Sequence, residues 1–516
     1  MTQDLCRSAD RHPMWALATS MLLLTACAAP VERRAILPDS PTASGPAVIL
    51  PDAWSRSATV RADGSASRSG AASPQAWWLR YGDPLLTNLV QQAIQGNLDV
   101  RRAMAVLSQS RALGEAAAGA QHLQAGLGAS TGTSRAAGVS TSSTRAGLDA
   151  SWEIDLFGAR GAATDAAAAQ ARAAAATLDA TRQSIIAEVV LAYQQWQGLR
   201  IQHQLALATL AAQAQTRQIT DWRVQAGLAS ALDSSLARLA VEQTQARLST
   251  LVVGLAQAVH RLSVLTGQAP AALDRQLASS VDGRGFRRTG VAPEAMAKEA
   301  APPPMLPRVL DLPTGLDAAA PADLLRRRPD LAAAELRVEA AAATWAQRDA
   351  ERLPNFSLSG TLTLAARSLS GLSGSNALAS SLLAGMNWSW LDGGAARSRS
   401  QAQAAALEAA RIDYQATLLA ALQDVEDALV AIEAGQAQAA SLANAHRAAQ
   451  DALDYTRMRH QSGLVDLSML LESQRTAAST GDAWVSARVS LAQQHVRLHK
   501  ALGGAWQANP GDRDPP

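Results

Sequence analysis

The chain has 516 residues, of which 48% are hydrophobic, and its 46 Lys and Arg nearly balance its 44 Asp and Glu for a formal net charge of +2 at pH 7. Proteins that bind nucleic acid through its phosphates carry clusters of Lys and Arg, so this balance argues against a nucleic-acid partner. Both cysteines lie near the start of the chain.

An apolar run over residues 14–26 follows two arginines and is too short to span a bilayer as a helix. It predicts a signal peptide over residues 1–26. The run ends in Leu-Thr-Ala-Cys, which resembles a bacterial lipoprotein box with the thiol of Cys27 as the lipid acceptor. Cleavage before Cys27 removes Cys6 and leaves no possible intramolecular disulfide. Because Ala28 rather than aspartate follows Cys27, the lipoprotein resemblance implies the outer membrane.

Residues 27–75 are rich in Pro, Ser, Ala and Gly, which predicts a flexible tether behind the lipid anchor. Residues 269–322 are rich in proline, which predicts a linker with at most short structure. Residues 507–516 are predicted to form a loose tail. No run beyond the signal peptide reaches the 18 apolar residues of a transmembrane helix. We therefore expect any crossing of the membrane to use β-strands.

A helix is predicted to begin at Asp83-Pro84 and to continue to about Ala120. The period then changes from about 3.6 to 2, with a run at 123–129 and a second run at 148–156 predicted to pair as a hairpin across a Gly, Ser and Thr rich loop at 130–144. The second run places apolar residues on one face and acidic residues on the other. The apolar residues are Leu148, Ala150, Trp152, Ile154 and Leu156.

The same alternation recurs later, in runs at 356–364 and 384–390 separated by a Gly and Ser rich loop at 368–380. The last of these strands is predicted to include Trp388 and Trp390. Four strands of about ten residues match the length that spans a bilayer when tilted. A soluble sheet with one wet face is the competing interpretation. Because two isolated hairpins make a poor soluble domain, a membrane barrel is favoured.

Long stretches almost free of helix breakers follow each hairpin. Residues 159–225 predict one continuous helix of about 100 Å, and apolar residues keep a 3.5 period that is typical of coiled coils. Gly227 and Gly463 mark the turns at the helix tips. The returning helices are predicted at about 232–266 and 467–502. The period is carried by Ile185, Val189, Ala192, Trp196 and Leu199, and again by Leu418, Leu422, Val425, Leu429 and Ile432.

These features occur twice at a nearly constant separation. Asp99 is echoed by Asp330 after 231 residues, Gly158 by Gly393 after 235, and Gly227 by Gly463 after 236. Several landmarks with one offset predict an internal duplication, too long for a solenoid unit. The two repeats are predicted over residues 77–268 and 323–506.

Several motifs together resemble those of TolC-type outer membrane factors, in the lipoprotein branch that includes NodT and OprM. They lie at residues 78–86, 150–158, 226–230, 323–331, 392–394 and 424–429. The resemblance implies a mainly α protein with a transmembrane β-barrel portion. It implies a homotrimer in which each chain gives four strands to a 12-stranded barrel and a long α-helical coiled-coil barrel extends into the periplasm. It also implies a periplasmic adaptor (membrane fusion) protein and an inner-membrane pump as partners.

Channels of this family close at the periplasmic helix tips with inward acidic rings, which makes four residues gate candidates: Asp466, Glu472, His460 and Asp233. Met469 stands where the family pattern has its first acidic residue, and His460 where a tyrosine is common. Threefold symmetry would turn one inward carboxylate into a cation-attracting ring. An ordinary solvated helix face is the alternative for Asp466 and Glu472.

Enzymatic chemistry finds little support in the sequence. His495 and His499 stand at i and i+4 as in some metal sites, but no third ligand is evident. The sequence has no nucleophile elbow or phosphate-binding loop. We expect no catalytic residue, no metal and no cofactor.

The sequence therefore predicts a passive outer-membrane exit duct for small molecules such as drugs or toxic compounds. Two alternatives stay open. The same architecture serves channels for type I-like polypeptide secretion, and a non-channel coiled-coil scaffold in the periplasm would lack strands of membrane length.

Overall fold

A computed structural model describes residues 74–136, 138–280, 327–366 and 378–504. The signal peptide, Cys27 and its tether, most of the 269–322 linker and the 507–516 tail lie outside the described residues. So does most of the loop predicted at 368–380.

The first repeat begins with a short 3₁₀ helix, Pro74–Tyr81. The elements that follow are α1 (Pro84–Gly96), α2 (Leu98–Gly119), β1 (Gln124–Ala136), β2 (Val139–Ile154), α3 (Ala159–Gln225), α4 (Ala231–Thr266) and α5 (Pro270–Ser280). The second repeat consists of α6 (Pro329–Ala350), β3 (Asn355–Ala366), β4 (Leu378–Asn387), α7 (Ala395–Gln461) and α8 (Leu467–Ala501). Helix α5 supplies the short structure expected in the proline-rich linker.

The duplication extends to the lengths of the elements. Helices α3 and α7 each have 67 residues, and each begins after a glycine in the left-handed region, Gly158 at φ +78° and Gly394 at φ +87°. The counterpart of Gly158 is therefore Gly394 rather than Gly393 as predicted, because Gly394 is the residue that adopts the helix-starting conformation. One offset of 236 residues then relates α3 and α4 to α7 and the start of α8.

The four strands form one antiparallel sheet in the order β1-β2-β3-β4. The prediction of a loop at 130–144 is wrong, because both strands continue through it and pair as far as Ala136 and Val139. Small residues there still pair through their backbones, and Thr131 and Thr144 hydrogen-bond across the ladder. The 368–380 loop is likewise too long, since β4 begins at Leu378.

Two strands end earlier than the alternation predicted. Strand β2 ends at Ile154, so Leu156 is not in a strand, and β4 ends at Asn387, so Trp388 and Trp390 are not. The reason is loss of a pairing partner, because the last pair between β3 and β4 joins Asn355 to Asn387. The apolar and polar residues continue to alternate in the sequence after the neighbouring strand has ended and no longer offers a partner.

The helix predicted from Asp83 to about Ala120 is interrupted at Asn97. This residue has extended backbone, and its side-chain oxygen accepts hydrogen bonds from the backbone N–H groups of Asp99 and Val100. Its amide donates to the carbonyl of Leu265 at 2.9 Å. The N-cap role of asparagine therefore starts a new helix where apolar periodicity alone suggested continuity.

The main core lies where α3 passes the start of the chain. Asp83 caps α1 through Oδ1, while its Oδ2 accepts a 2.7 Å hydrogen bond from the Tyr193 hydroxyl of α3. Tyr193 is only 1% exposed, and burial together with the neighbouring Asp83 raises its pKa. Four of the five coiled-coil positions predicted in α3 are buried, as are four of the five in α7.

The shorter helices of the second repeat, α6 and α8, each contact both long helices, α3 and α7, whereas α2 and α4 of the first repeat do not. Helix α6 lies between α3 and α7, and α8 contacts both α7 and α3. Helices α2 and α4 pack mainly along α3, and α4 also contacts α1, α5 and α8; neither has comparable packing against α7 among the described residues. The first repeat therefore leaves an uncovered flank.

One described helix, α4, is long and apolar enough to span a membrane by length and composition. No such run was expected beyond the signal peptide. Its apolar residues have a second explanation, since Leu255 and Leu262 belong to the main core together with residues of α3.

Candidate functional site

The two faces of the sheet differ sharply in chemistry. On one face Leu148 lies between Leu127 of β1 and Leu362 of β3. One residue further along β2, Asp149 lies on the opposite face, between Gly126 and Thr361. Such alternation suits strands with lipid on one side and water on the other. The apolar side chains are exposed in this chain, including Leu127 at 86% and Leu382 at 77%.

Exposed aromatic residues gather where the sheet meets the helices. Trp152, Phe157, Trp388 and Trp390 are all at least 41% exposed, and Phe157 lies beside Phe356 with ring centroids 6.5 Å apart. Aromatic residues favour the membrane–water interface, where an apolar ring meets polar headgroups.

At the far ends of the long helices, both tip glycines adopt the left-handed region, with φ +73° at Gly227 and at Gly463. In each turn the residue after the glycine donates to a helix carbonyl, Leu228 to Arg223 at 2.7 Å and Leu464 to Arg459 at 2.9 Å. This is the Schellman closure that a glycine permits. The two tips therefore share one backbone design.

Two gate candidates act as helix caps. Asp233 completes a capping box with Ser230, and hydrogen bonds from the Ser230 backbone and side chain lower its pKa. Asp466 is the N-cap of α8 and accepts a 3.0 Å hydrogen bond from the N–H of Met469. Ser230 and Asp466 are equivalent under the 236-residue offset, so the two tips cap their returning helices with different side chains.

The other two gate candidates lie close to the same turns. His460 contacts the carbonyl of Val465 at 3.1 Å and lies near enough to Asp233 to lower the pKa of that carboxyl. Glu472 is exposed and pairs with Arg475 one turn later at 2.7 Å. Asp233 therefore feels the charge of His460 from the other tip, whereas Glu472 pairs within its own helix.

Helices α3 and α4 form one helical hairpin, and α7 and α8 form a second. The contacts between these two helical hairpins were not anticipated from the sequence. Arg247 of α4 forms an ion pair with Asp482 of α8, and Gln474 of α8 donates to Thr216 of α3 at 3.3 Å. Neither pair has a motif or a local spacing that marks it. The one hint in the sequence is that Arg247 and Asp482 occupy neighbouring positions when the two repeats are aligned by their offset.

The paired histidines do not form a metal site among the described residues. No group of three or more His, Cys, Asp or Glu side chains there could hold a metal ion. His495 is 4% exposed, and the His499 ring stacks on Trp77 at 5.1 Å. Burial lowers the pKa of each histidine to about 4, so both imidazoles are neutral at physiological pH.

An outer membrane efflux protein family model matches residues 89–268 and 320–504. The chain belongs to the outer membrane efflux protein family. This is a family of channel proteins rather than enzymes. Its two matched segments correspond to the two copies of helix, hairpin, long helix and returning helix.

Relatives and solved structures agree with that assignment. Nodulation protein T of Rhizobium leguminosarum is 26% identical over 86% of this chain and 87% of its own. The toluene efflux pump outer membrane protein TtgC of Pseudomonas putida is 28% identical over 96% of each chain. The structure of the outer-membrane channel OprN has a TM-score of 0.73 and 30% identity, covering 89% of this chain and 99% of that one.

The predicted fold class is confirmed: a mainly helical, internally duplicated chain with a β portion. The efflux protein lies in the outer membrane through its strands, and its helices extend into the periplasm.

Proposed function

We propose that three copies of this chain close one 12-stranded barrel and one helical cylinder, forming the exit duct of a tripartite efflux system. The observation that carries the trimer is the open sheet, in which β1 and β4 are both edge strands. Each edge presents unpaired backbone groups, which hydrocarbon does not tolerate, so the edges must pair with other copies. Four strands cannot close a barrel alone.

The helices support the same arrangement. Val489 of α8 is buried where it packs on Gly198 of α3, whereas its counterpart Val253 of α4 is 56% exposed. Covering Val253 in the same way requires a helix equivalent to α3. The available equivalent is α7 of the next copy, whose residue Ala434 corresponds to Gly198. Three copies in a ring give every α4 such a neighbour.

The duct is passive, and a pump in the inner membrane supplies the energy through a periplasmic adaptor. Small drugs or toxic compounds are the proposed cargo, supported by the name of the toluene-efflux relative. Polypeptide secretion through the same architecture is the second candidate. A lipid on Cys27 would anchor the body in the outer membrane, and several acyl chains would make that anchor firm.

The helix tips form the proposed periplasmic gate, with Asp233, His460, Asp466 and Glu472 as the polar groups nearest the turns. Their capping and pairing contacts favour one fixed arrangement of the tips. Threefold symmetry would repeat each carboxylate around the axis and attract cations to the entrance.

Deleting the gene and measuring accumulation of a fluorescent dye in intact cells tests the function. The deletion is expected to raise dye accumulation, and the wild-type chain to restore export. Cys27→Ser is a matched variant that retains the barrel and should reduce only anchoring. A photo-crosslinker at Leu228 should capture an adaptor. Unchanged dye accumulation together with retained secreted polypeptide would favour the second candidate.

A further inference from the structure

We propose that the cell-surface end of the β1–β2 hairpin binds the phosphorylated sugar headgroup of lipopolysaccharide, through Arg135 and the hydroxyls beside it. Lipopolysaccharide is the phosphate-bearing glycolipid in the outer leaflet of the outer membrane. The inference goes beyond the proposed function, because it needs only the position of the strands in the outer membrane and neither the trimer nor efflux.

The turn between β1 and β2 lies at the cell surface. The opposite ends of the strands join the helices, because Ile154 is followed by α3 and Asn355 is preceded by α6. Those helices extend into the periplasm. The ends of β1 and β2 at Ala136 and Val139 therefore lie on the outer side of the membrane.

The β1–β2 hairpin extends further outward than the paired part of β3. Strand β3 pairs with β2 only as far as Thr144, which lies opposite Ala366. Strands β1 and β2 continue to pair with each other as a two-stranded ribbon, residues 131–136 and 139–144. This surface ribbon is the part of the described sheet that reaches furthest from the periplasm.

Below the surface ribbon, the face of the sheet that contacts lipid is almost entirely apolar. Five rows of side chains on β2 and β3 extend about 27 Å along the strands, and they form the band that faces hydrocarbon. The rows place Ala146 opposite Leu364, Leu148 opposite Leu362, Ala150 opposite Gly360, Trp152 opposite Leu358 and Ile154 opposite Phe356.

The same face becomes polar where the surface ribbon begins. Three cross-strand pairs there are each joined by a hydrogen bond between side chains, and they extend about 14 Å along the strands. The pairs are Thr131 with Thr144 at 3.2 Å, Thr133 with Ser142 at 3.1 Å and Arg135 with Ser140 at 3.0 Å. Because side chains alternate between the two faces, these residues lie on the face of Leu127 and Leu148. The three pairs therefore stand just above the hydrocarbon, at the level of the lipid headgroups.

The charge at this end of the sheet is only positive. Residues 124–148 contain Arg135 and Arg145 but no Asp or Glu, and residues 355–391 contain Arg367 but no Asp or Glu. The whole chain, in contrast, has nearly equal numbers of basic and acidic residues. Arg135 is exposed, and Ser140 uses only its Nε. The two terminal nitrogens of the guanidinium can therefore donate to an anion.

A phosphate carried on sugars matches this surface. A guanidinium binds phosphate oxygens through two parallel hydrogen bonds that its charge strengthens. The Thr and Ser hydroxyls of the ribbon can both donate to phosphate and accept from sugar hydroxyls. A phospholipid headgroup offers the phosphate without the sugar hydroxyls. Lipopolysaccharide offers both, in the leaflet that the ribbon crosses.

Arg145 supplies a matched control within the same hairpin. It lies opposite Ser130 of β1 and Ala365 of β3. It therefore shares the face of Asp149 and lies on the side of the sheet away from lipid. Its charge is the same as that of Arg135, but its position excludes contact with a lipid headgroup in the surrounding leaflet.

Titration of the purified, full-length protein with fluorescently labelled lipopolysaccharide in detergent tests the proposal. Arg135→Gln is expected to weaken binding about fivefold, the effect of one exposed charge-assisted contact, whereas Arg145→Gln should leave binding unchanged. Thr131→Val with Thr133→Val removes hydroxyls without a change in charge and should also weaken binding. Ser130→Ala with Ser134→Ala, on the opposite face, is its control and should not.

Changing the lipid gives the converse test. Enzymatic removal of the phosphates from lipopolysaccharide should weaken binding to the wild type and abolish its advantage over Arg135→Gln. An excess of phosphatidylglycerol should not displace the labelled glycolipid. Equal binding by Arg135→Gln and the wild type, equal losses in Arg135→Gln and Arg145→Gln, or full displacement by phosphatidylglycerol would each overturn the proposal.

Discussion

Trp152 and Trp388 make the same contact in the two halves of the chain. The indole Nε1 of each donates a hydrogen bond of 3.3 Å to a backbone carbonyl just past the end of the helix that precedes its hairpin. The acceptors are Gln121 and Arg352. Each hairpin is thereby fixed to its helix at the level where aromatic residues favour the membrane surface.

Replacing either tryptophan with phenylalanine should weaken this attachment. Trp152→Phe and Trp388→Phe each remove one hydrogen bond, so each should lower the free energy of unfolding by about 1 kcal/mol. Because the two sites belong to different hairpins, the losses should add in the double variant. Thermal unfolding in detergent measures the effect. Trp390→Phe, at a 75% exposed position, is the control; an equal loss there would refute the hydrogen-bond explanation.

In each repeat, the residue that begins a helix after the first turn of the repeat contacts the end of the returning helix. These contacts, between α2 and α4 and between α6 and α8, should differ in strength. Asn97 donates to Leu265, and at the equivalent place Arg328 donates to the carbonyl of Ala501 at 3.2 Å and also pairs with Asp330 and Asp424. Burial opposes ionisation of Asp330, but the Arg328 guanidinium outweighs it and lowers its pKa.

We expect Asn97→Ala to lower the free energy of unfolding by about 1–2 kcal/mol, and Arg328→Met by more, since it removes two ion pairs and the hydrogen bond to the Ala501 carbonyl together. Arg328→Lys should rescue little, because one ammonium cannot reproduce the guanidinium fork. Chemical denaturation provides the comparison. The exposed pair of Arg172 and Glu339 is the control: Arg172→Met should change little. Full rescue by lysine would show that charge alone suffices.

Acid should destabilise the protein through His495 and His499. Each titrates near 6.5 when unfolded but at about 4 when folded. The unfolded state therefore binds more protons between these values, and stability falls as the pH falls from 6.5 towards 4. At pH 5 the loss through His495 is about 2 kcal/mol. Melting temperatures between pH 7 and pH 5 measure it.

The double variant His495→Leu with His499→Phe should flatten this acid dependence. His122→Gln, at an exposed position, is the matched control and should retain it. A double variant that loses as much stability on acidification as the wild type would place the sensitivity in other groups.

The hydrogen bond from the Tyr193 hydroxyl to Oδ2 of Asp83 should stabilise the fold separately from the helix cap that Oδ1 provides. Asp83→Asn keeps an oxygen that can cap α1, but an amide nitrogen facing Tyr193 cannot accept its hydroxyl hydrogen. Tyr193→Phe removes the donor instead. Both should lower the melting temperature, and the double variant should lose less than the sum, since one contact is removed twice. Strict additivity of the two losses would show that the residues do not interact.

Much of this fold could be predicted from sequence because its signals are long. The absence of proline and the 3.5 period extend over tens of residues, so the helix predicted at 159–225 has the same bounds as the observed α3. The repeat offset also related the two tip glycines, Gly227 and Gly463, to each other. Errors arose where one side chain or one missing neighbour decides the outcome, as at Asn97, which ends a helix by capping the next, and at Asn387, where the paired strand stops.

The tip residues illustrate a different limit. Asp466 and Asp233 were identifiable as acids beside a turn, but their roles as helix caps depend on backbone geometry. Arg247 and Asp482 lie far apart in sequence, and nothing local indicates that they meet. Which residues meet between two such helices depends on the rotation of each helix about its own axis, and a rotation of a few degrees changes the partners.

Conductance of the purified, full-length protein in planar bilayers tests the three-chain duct most directly. The protein is expected to insert as a trimer and to conduct ions in discrete steps. Steps should be larger or more frequent when Asp233, Asp466 and Glu472 are replaced by alanine, because the proposed gate is then weakened. A protein that never conducts, with or without these replacements, would contradict the channel.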